Sequence, residues 1–128
     1  LAKSYNLKIQ LHSCGSVREL IPDFIKRGLD ILDPIQVGAR GMIPEELKKE
    51  FGEEIAFHGS MDTQKTLPFG NPEEIKSEVL HRFQTIASGG GFILSPSQHL
   101  LTEIPLENIT TMYETAYEYG WYSDICKL

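Results

Sequence analysis

Cysteine is scarce in this chain, with only Cys14 and Cys126 among 128 residues. Two distant cysteines are too few for a disulfide scaffold, so a reducing compartment is expected and Cys14 is left available for metal or redox chemistry. Basic charge is short as well: 12 Lys and Arg face 18 Asp and Glu, a formal net charge of −6. A nucleic-acid binder would present a basic face, and scattered cations make no polybasic membrane patch, so neither partner is expected. No apolar run approaches the roughly 18 residues of a membrane span, and no basic-then-apolar leader is seen, which together predict a soluble, cytoplasmic protein. No strand candidate is followed by a glycine-rich nucleotide fingerprint.

What is present is enough for a core, since 41% of the residues are hydrophobic and the length suits one domain. The pattern is strand then helix, four times over. Strands are expected at 7–11, 29–35, 54–58 and 92–94, each a short apolar run rather than an alternating one, as when both sheet faces are covered. Ser16-Val17-Arg18-Glu19 has the form of a capping box. A helix follows from Pro22 to Arg27 and ends at Gly28. Pro44-Glu45-Glu46 and Asn71-Pro72-Glu73-Glu74 open two more helices, with proline in the first turn and acids at the positive end of the dipole. Ile75, Val79, Phe83 and Ile86 continue the latter at helical spacing. Gly89-Gly90-Gly91 breaks it, Pro105-Leu106-Glu107-Asn108 starts the last helix to about Tyr119, and Trp121 onwards has no assignment. Strand-helix alternation implies parallel strands with right-handed crossovers. The fold class expected is therefore α/β, four parallel βα units over residues 1–128, half of an eight-fold barrel. Leu1 to Asn6 reads like the tail of a helix, which suggests a fragment whose N-terminal half-barrel is missing.

The chemistry-bearing residues gather just after the strands: His12 to Gly15; Asp33, Pro34 and Gln36; His58 to Asp62; and Ser95 to His99. Parallel strands bring all four loops to one face, the face on which barrel enzymes build their sites. His12 and Cys14, two apart on an extended segment, project to one side and suit two corners of a tetrahedral zinc site. A buried thiol beside a hydrogen-bonded histidine is the other reading of the same pair. Asp62 suits either an acid-base group or a cap for the amides of the residues after it. His58 is as readily structural as catalytic.

Gly28-Leu29-Asp30-Ile31-Leu32-Asp33, Gly59-Ser60-Met61-Asp62-Thr63, the glycine-rich turn into Phe92-Ile93-Leu94, and Pro105-Leu106-Glu107-Asn108 come in an order and spacing that resembles the uroporphyrinogen decarboxylase superfamily. The resemblance implies a barrel of more than twice this length and two competing activities. One is cofactor-free decarboxylation of porphyrinogen acetate side chains in heme biosynthesis. The other is corrinoid-dependent methyl transfer, in which a His-x-Cys motif and a later cysteine bind zinc. His12-Ser13-Cys14-Gly15 is similar to the methyltransferase motif. Gln98 departs from both branches, standing where one carries cysteine and the other histidine, and His99 becomes the third-ligand candidate if the loop shifts by one residue. The resemblance thus implies a small-molecule methyltransferase with zinc at His12, Cys14 and His99, a catalytic Asp62, and Gly59, Ser60, Met61, Arg40 and Gln98 around the substrate. A corrinoid, free or on a partner protein, is the implied cofactor. Decarboxylation, with Arg18 and Arg40 as the carboxylate-binding candidates, is the alternative, and a non-catalytic ligand-binding member is the third reading. Two open sheet edges also predict a homodimer or poor stability for this piece alone.

Overall fold

The computed structural model describes residues 1–122, so Cys126 and most of the unassigned tail lie outside them. The elements are β1 (Gln10–His12), α1 (Ile21–Lys26), β2 (Ile31–Ile35), α2 (Pro44–Phe51), β3 (Ala56–Met61), α3 (Thr66–Phe69), α4 (Pro72–Gln84), β4 (Phe92–Pro96) and α5 (Leu106–Tyr119). The strands form one parallel sheet in the order β1-β2-β3-β4. This is the alternation of half a (β/α)8 barrel, as the apolar runs predict.

The register sorts side chains onto two faces. Leu11, Leu32, Phe57 and Phe92 lie level across all four strands. They pack with Ile21 of α1 and Leu47 and Phe51 of α2 in one core cluster, while Met61 and Leu94 join Ile75, Val79, Phe83 and Met112 of α4 and α5 in a second. Burial of these large side chains contributes about 1.5–3 kcal/mol each, which is what holds short helices on a short sheet. The opposite row is polar: Gln10, His12, Asp33, His58 and Ser95, with Ile93 among them. That polar row is where the candidate site begins.

Several boundaries differ from expectation, each for a local reason. The capping box at Ser16 does not form. Ser16 Oγ donates instead to the Arg40 carbonyl at 2.6 Å, and 18–20 become a 3-10 turn without a side-chain cap. A reciprocal box forms at α4, where Asn71 and Glu74 serve each other's amides at 2.8 and 3.0 Å. Helix α4 stops at Gln84, so Ile86 reaches the core from the turn after it. Strand β3 starts later and runs on through Gly59, Ser60 and Met61, placing them in the sheet rather than in the following loop. Gly59 is a close-approach residue: φ is +104°, and a Cβ there would meet Pro34 Cβ at 3.0 Å and Ile35 N at 3.2 Å. Gly59→Ala is therefore expected to cost about 2 kcal/mol or more in chemical denaturation, from backbone strain and overpacking against β2 together.

At the other end of the strands Asp30 ties the N-terminal segment down. Its carboxylate accepts from Lys3 Nζ at 2.5 Å, the Ile9 amide at 2.7 Å and Lys8 Nζ at 3.4 Å. The Lys3 hydrogen bond, followed by that of the Ile9 amide, lowers its pKa to about 2. A carboxylate with a depressed folded-state value contributes stability above its unfolded value, about 3.9, and loses it as pH falls. Asp30→Asn is thus expected to lower the urea midpoint at pH 7, with the difference shrinking as pH falls through about 4 toward 2. A midpoint difference as large at pH 2 as at pH 7 would contradict the ionic origin.

Among the described residues β1 and β4 each pair on one side only. Unpaired strand edges template further pairing. The 128-residue chain alone is expected to sediment as a dimer or larger species, and a monodisperse, cooperatively melting monomer would contradict this.

Candidate active site

Asp33 interrupts an apolar strand, and the fold explains why it is tolerated. Its side chain is 15% exposed and lies level with His12 of β1 and beside His58 of β3. Oδ1 accepts from His58 Nδ1 at 2.8 Å, and Oδ2 from His12 Nδ1 at 3.1 Å and Gln10 Nε2 at 2.9 Å. An ionised carboxylate only accepts, so both imidazoles carry their proton on Nδ1 and turn Nε2 away from Asp33. Burial, the largest single influence, pushes the Asp33 carboxyl up. The hydrogen bonds from His58, Gln10 and His12 outweigh it, holding the group below the usual carboxylate range.

His12 Nε2 faces Cys14 Sγ at 3.2 Å, which brings the two motif residues to one point. Both side chains are exposed, and the thiol is free. Gln98, 84 residues on, donates Nε2 to the same sulfur at 2.5 Å. Gln36 Oε1 accepts from the Gly15 amide at 2.8 Å, fastening the turn after β1 to the end of β2. Cys14 thus sits between an imidazole backed by a carboxylate and an amide donor, with its sulfur turned toward both.

His99 is exposed and makes no hydrogen bond with the described residues. Among the described residues no three His, Cys, Asp or Glu side chains gather as a metal cluster. Asp62 is engaged locally, its Oδ1 accepting from the Gln64 and Lys65 amides at 2.8 and 3.2 Å, which closes the turn before α3 rather than capping α3 itself. Its own amide donates to Glu78 Oε1 at 3.1 Å. Ser60 and Met61 are fully buried, Met61 within the second core cluster, and Arg40 is exposed. Arg18 is occupied by Glu46 and by Glu50, the latter at 2.8 Å.

The roles of Asp33 and His58 as the hub of the cluster are not evident in residue spacing, because the contacts run across strands. Their signal is a carboxylate and an imidazole inside two strands expected to be covered on both faces, where unpaired polar groups are costly.

Among known structures the chain is similar to a methyltransferase from Methanosarcina mazei, with a TM-score of 0.72 and 24% identity over 94% of this chain and 34% of that one. It therefore spans about a third of that structure's length, and the likeness is one of fold. No curated protein matches the chain. Among the described residues no helix is long and apolar enough to cross a membrane. The family described as uroporphyrinogen decarboxylase (URO-D) matches residues 2–119, nearly the whole length, with the His12-Cys14 turn, β3 and β4 all inside the matched region, and the chain belongs to that family.

Proposed function

We propose that this chain is the C-terminal half of a barrel enzyme that transfers a methyl group from a corrinoid, free or carried by a partner protein, to a thiol or similar acceptor with the help of zinc. The observation that carries the reading is the pairing of His12 Nε2 and Cys14 Sγ at 3.2 Å with His12 Nδ1 anchored on Asp33. One nitrogen and one sulfur converge, and a carboxylate holds the imidazole by its other nitrogen, as in the carboxylate–histidine–zinc arrangement. These residues fit two corners of a tetrahedral site. The Gln98 amide occupies the neighbouring position, and the other corners fall to His99, to the half of the barrel proposed to precede this chain, or to the acceptor itself. The methyltransferase fold likeness agrees with this branch.

Zinc bound there would supply Lewis acidity to an acceptor group. His12 and Cys14 would hold it, Asp33 would fix the His12 ring, and Gln98 would orient the Cys14 sulfur. Asp62, at the end of β3, would place the substrate through the turn it closes. The test is methyl transfer from methylcobalamin to simple thiols by the complete barrel, followed by the loss of the corrinoid-methyl absorbance. Thiol methylation that is abolished in Cys14→Ser is the expected result. A complete barrel that leaves methylcobalamin untouched with every thiol would overturn the reading.

A further inference from the structure

The His12–Cys14 pair uses one oxygen of Asp33, and the second oxygen serves a residue that nothing above employs. His58 sits mid-strand in β3, its side chain 25% exposed, on the polar face of the sheet. Its Nδ1 is held by Asp33 Oδ1 at 2.8 Å, with Ser95 Oγ at 3.4 Å from the same nitrogen. Its Nε2 makes no hydrogen bond with any described residue. The ring is fixed by one nitrogen and presents the lone pair of the other to the same polar face as His12.

We propose that His58, oriented by Asp33, is the base that takes the proton of the methyl acceptor. The inference rests on the methyl-transfer reading and adds the step that reading leaves open, the fate of the acceptor's proton. The acceptor S–H bond breaks as its proton passes to His58 Nε2, and the electron pair stays on sulfur. The imidazolium so formed keeps Nδ1–H on the Asp33 carboxylate, which balances the new charge in a partly buried site. The thiolate then forms the S–C bond while the bond from the methyl carbon to its donor breaks, its electron pair remaining with the donor. His58 returns the proton to solvent through the exposed face. One carboxylate thereby serves two imidazoles: His12 on the side of Cys14, and His58 on the side of the acceptor.

Two readouts test this in the complete barrel. Long-range 1H–15N correlation spectra are expected to show His58 protonated on Nδ1 when neutral, with that preference lost in Asp33→Ala, whereas His12 keeps its Nδ1 proton wherever zinc holds its Nε2. The Nε2-protonated form at His58 in wild type would overturn the proposal whatever the activity. In kinetics with methylcobalamin, His58→Ala is expected to lower kcat by about 100-fold or more with alkyl thiols, the range of general-base catalysis, and by about 10-fold or less with aryl thiols already ionised at neutral pH. Added imidazole should restore part of the alkyl-thiol rate. A uniform loss across thiols without imidazole rescue would make His58 merely structural. Inactivity of wild type with all thiols would instead remove the methyl-transfer reading itself, so the two failures are distinguishable.

Discussion

Arg82→Ala is expected to destabilise the chain by about 3–5 kcal/mol, the cost of leaving one partner of a buried ion pair uncompensated. Arg82 and Glu78 lie one turn apart on α4 with side chains 11% and 10% exposed and an N–O distance of 3.0 Å. The pair also fastens the end of β3: Arg82 Nε donates to the Ser60 carbonyl at 3.1 Å, and Glu78 Oε1 accepts from the Asp62 amide. Ser60 needs that support, because it is fully buried at φ +72°, a left-handed conformation that costs a non-glycine residue about 1–3 kcal/mol. Glu78 Oε2 is buried and already lacks a hydrogen-bond partner. Removing the guanidinium therefore leaves a desolvated carboxylate with almost nothing to balance it. Adding Glu78→Gln should recover part of the loss, since a neutral amide still accepts from Asp62. Urea titrations of the two single variants and the double variant decide the point. Costs that simply add would contradict a coupled pair.

Asp33→Ala is expected to weaken zinc binding by about 10–100-fold in competition with a chromophoric chelator, the usual consequence of removing an anchor behind a metal-bound imidazole. Asp33 holds His12 and His58 at once, so the alanine variant frees both rings. Asp33→Asn should fall between, because its amide keeps one acceptor oxygen where the carboxylate has two. An unchanged affinity in Asp33→Ala would separate Asp33 from the metal and leave it a purely structural link between β1, β2 and β3.

The barrel-half architecture was legible because it depends on local signals. Pro44, Pro72 and Pro105 mark helix starts, Gly28 marks a stop, and the apolar runs mark covered strands, whereas α4 ends at Gln84, ahead of the Gly89-Gly90-Gly91 run. Local signals failed where tertiary contacts compete with them. Ser16 spends its hydroxyl on Arg40 rather than on its own helix, and Gly59, expected in the loop after the third strand, lies within β3, where its missing Cβ lets β2 and β3 approach. The site divides in the same way. His12 and Cys14 are two residues apart on an extended segment, so the sequence already suggests the pairing, although β1 ends at His12 and Cys14 lies in the turn beyond it. Asp33, His58 and Gln98 are brought in by register across neighbouring strands and by a loop 84 residues from Cys14, which spacing along the chain does not encode. Gln98 thus lies against the Cys14 sulfur.

Zinc on His12 and Cys14, as proposed, is tested by elemental analysis of the complete barrel beside its Cys14→Ser variant. About one zinc per chain is expected in wild type, with sulfur and nitrogen in its X-ray absorption shell, and that zinc is expected to be lost in the variant. Metal-free protein after careful anaerobic purification, or zinc retained unchanged without Cys14, would contradict it.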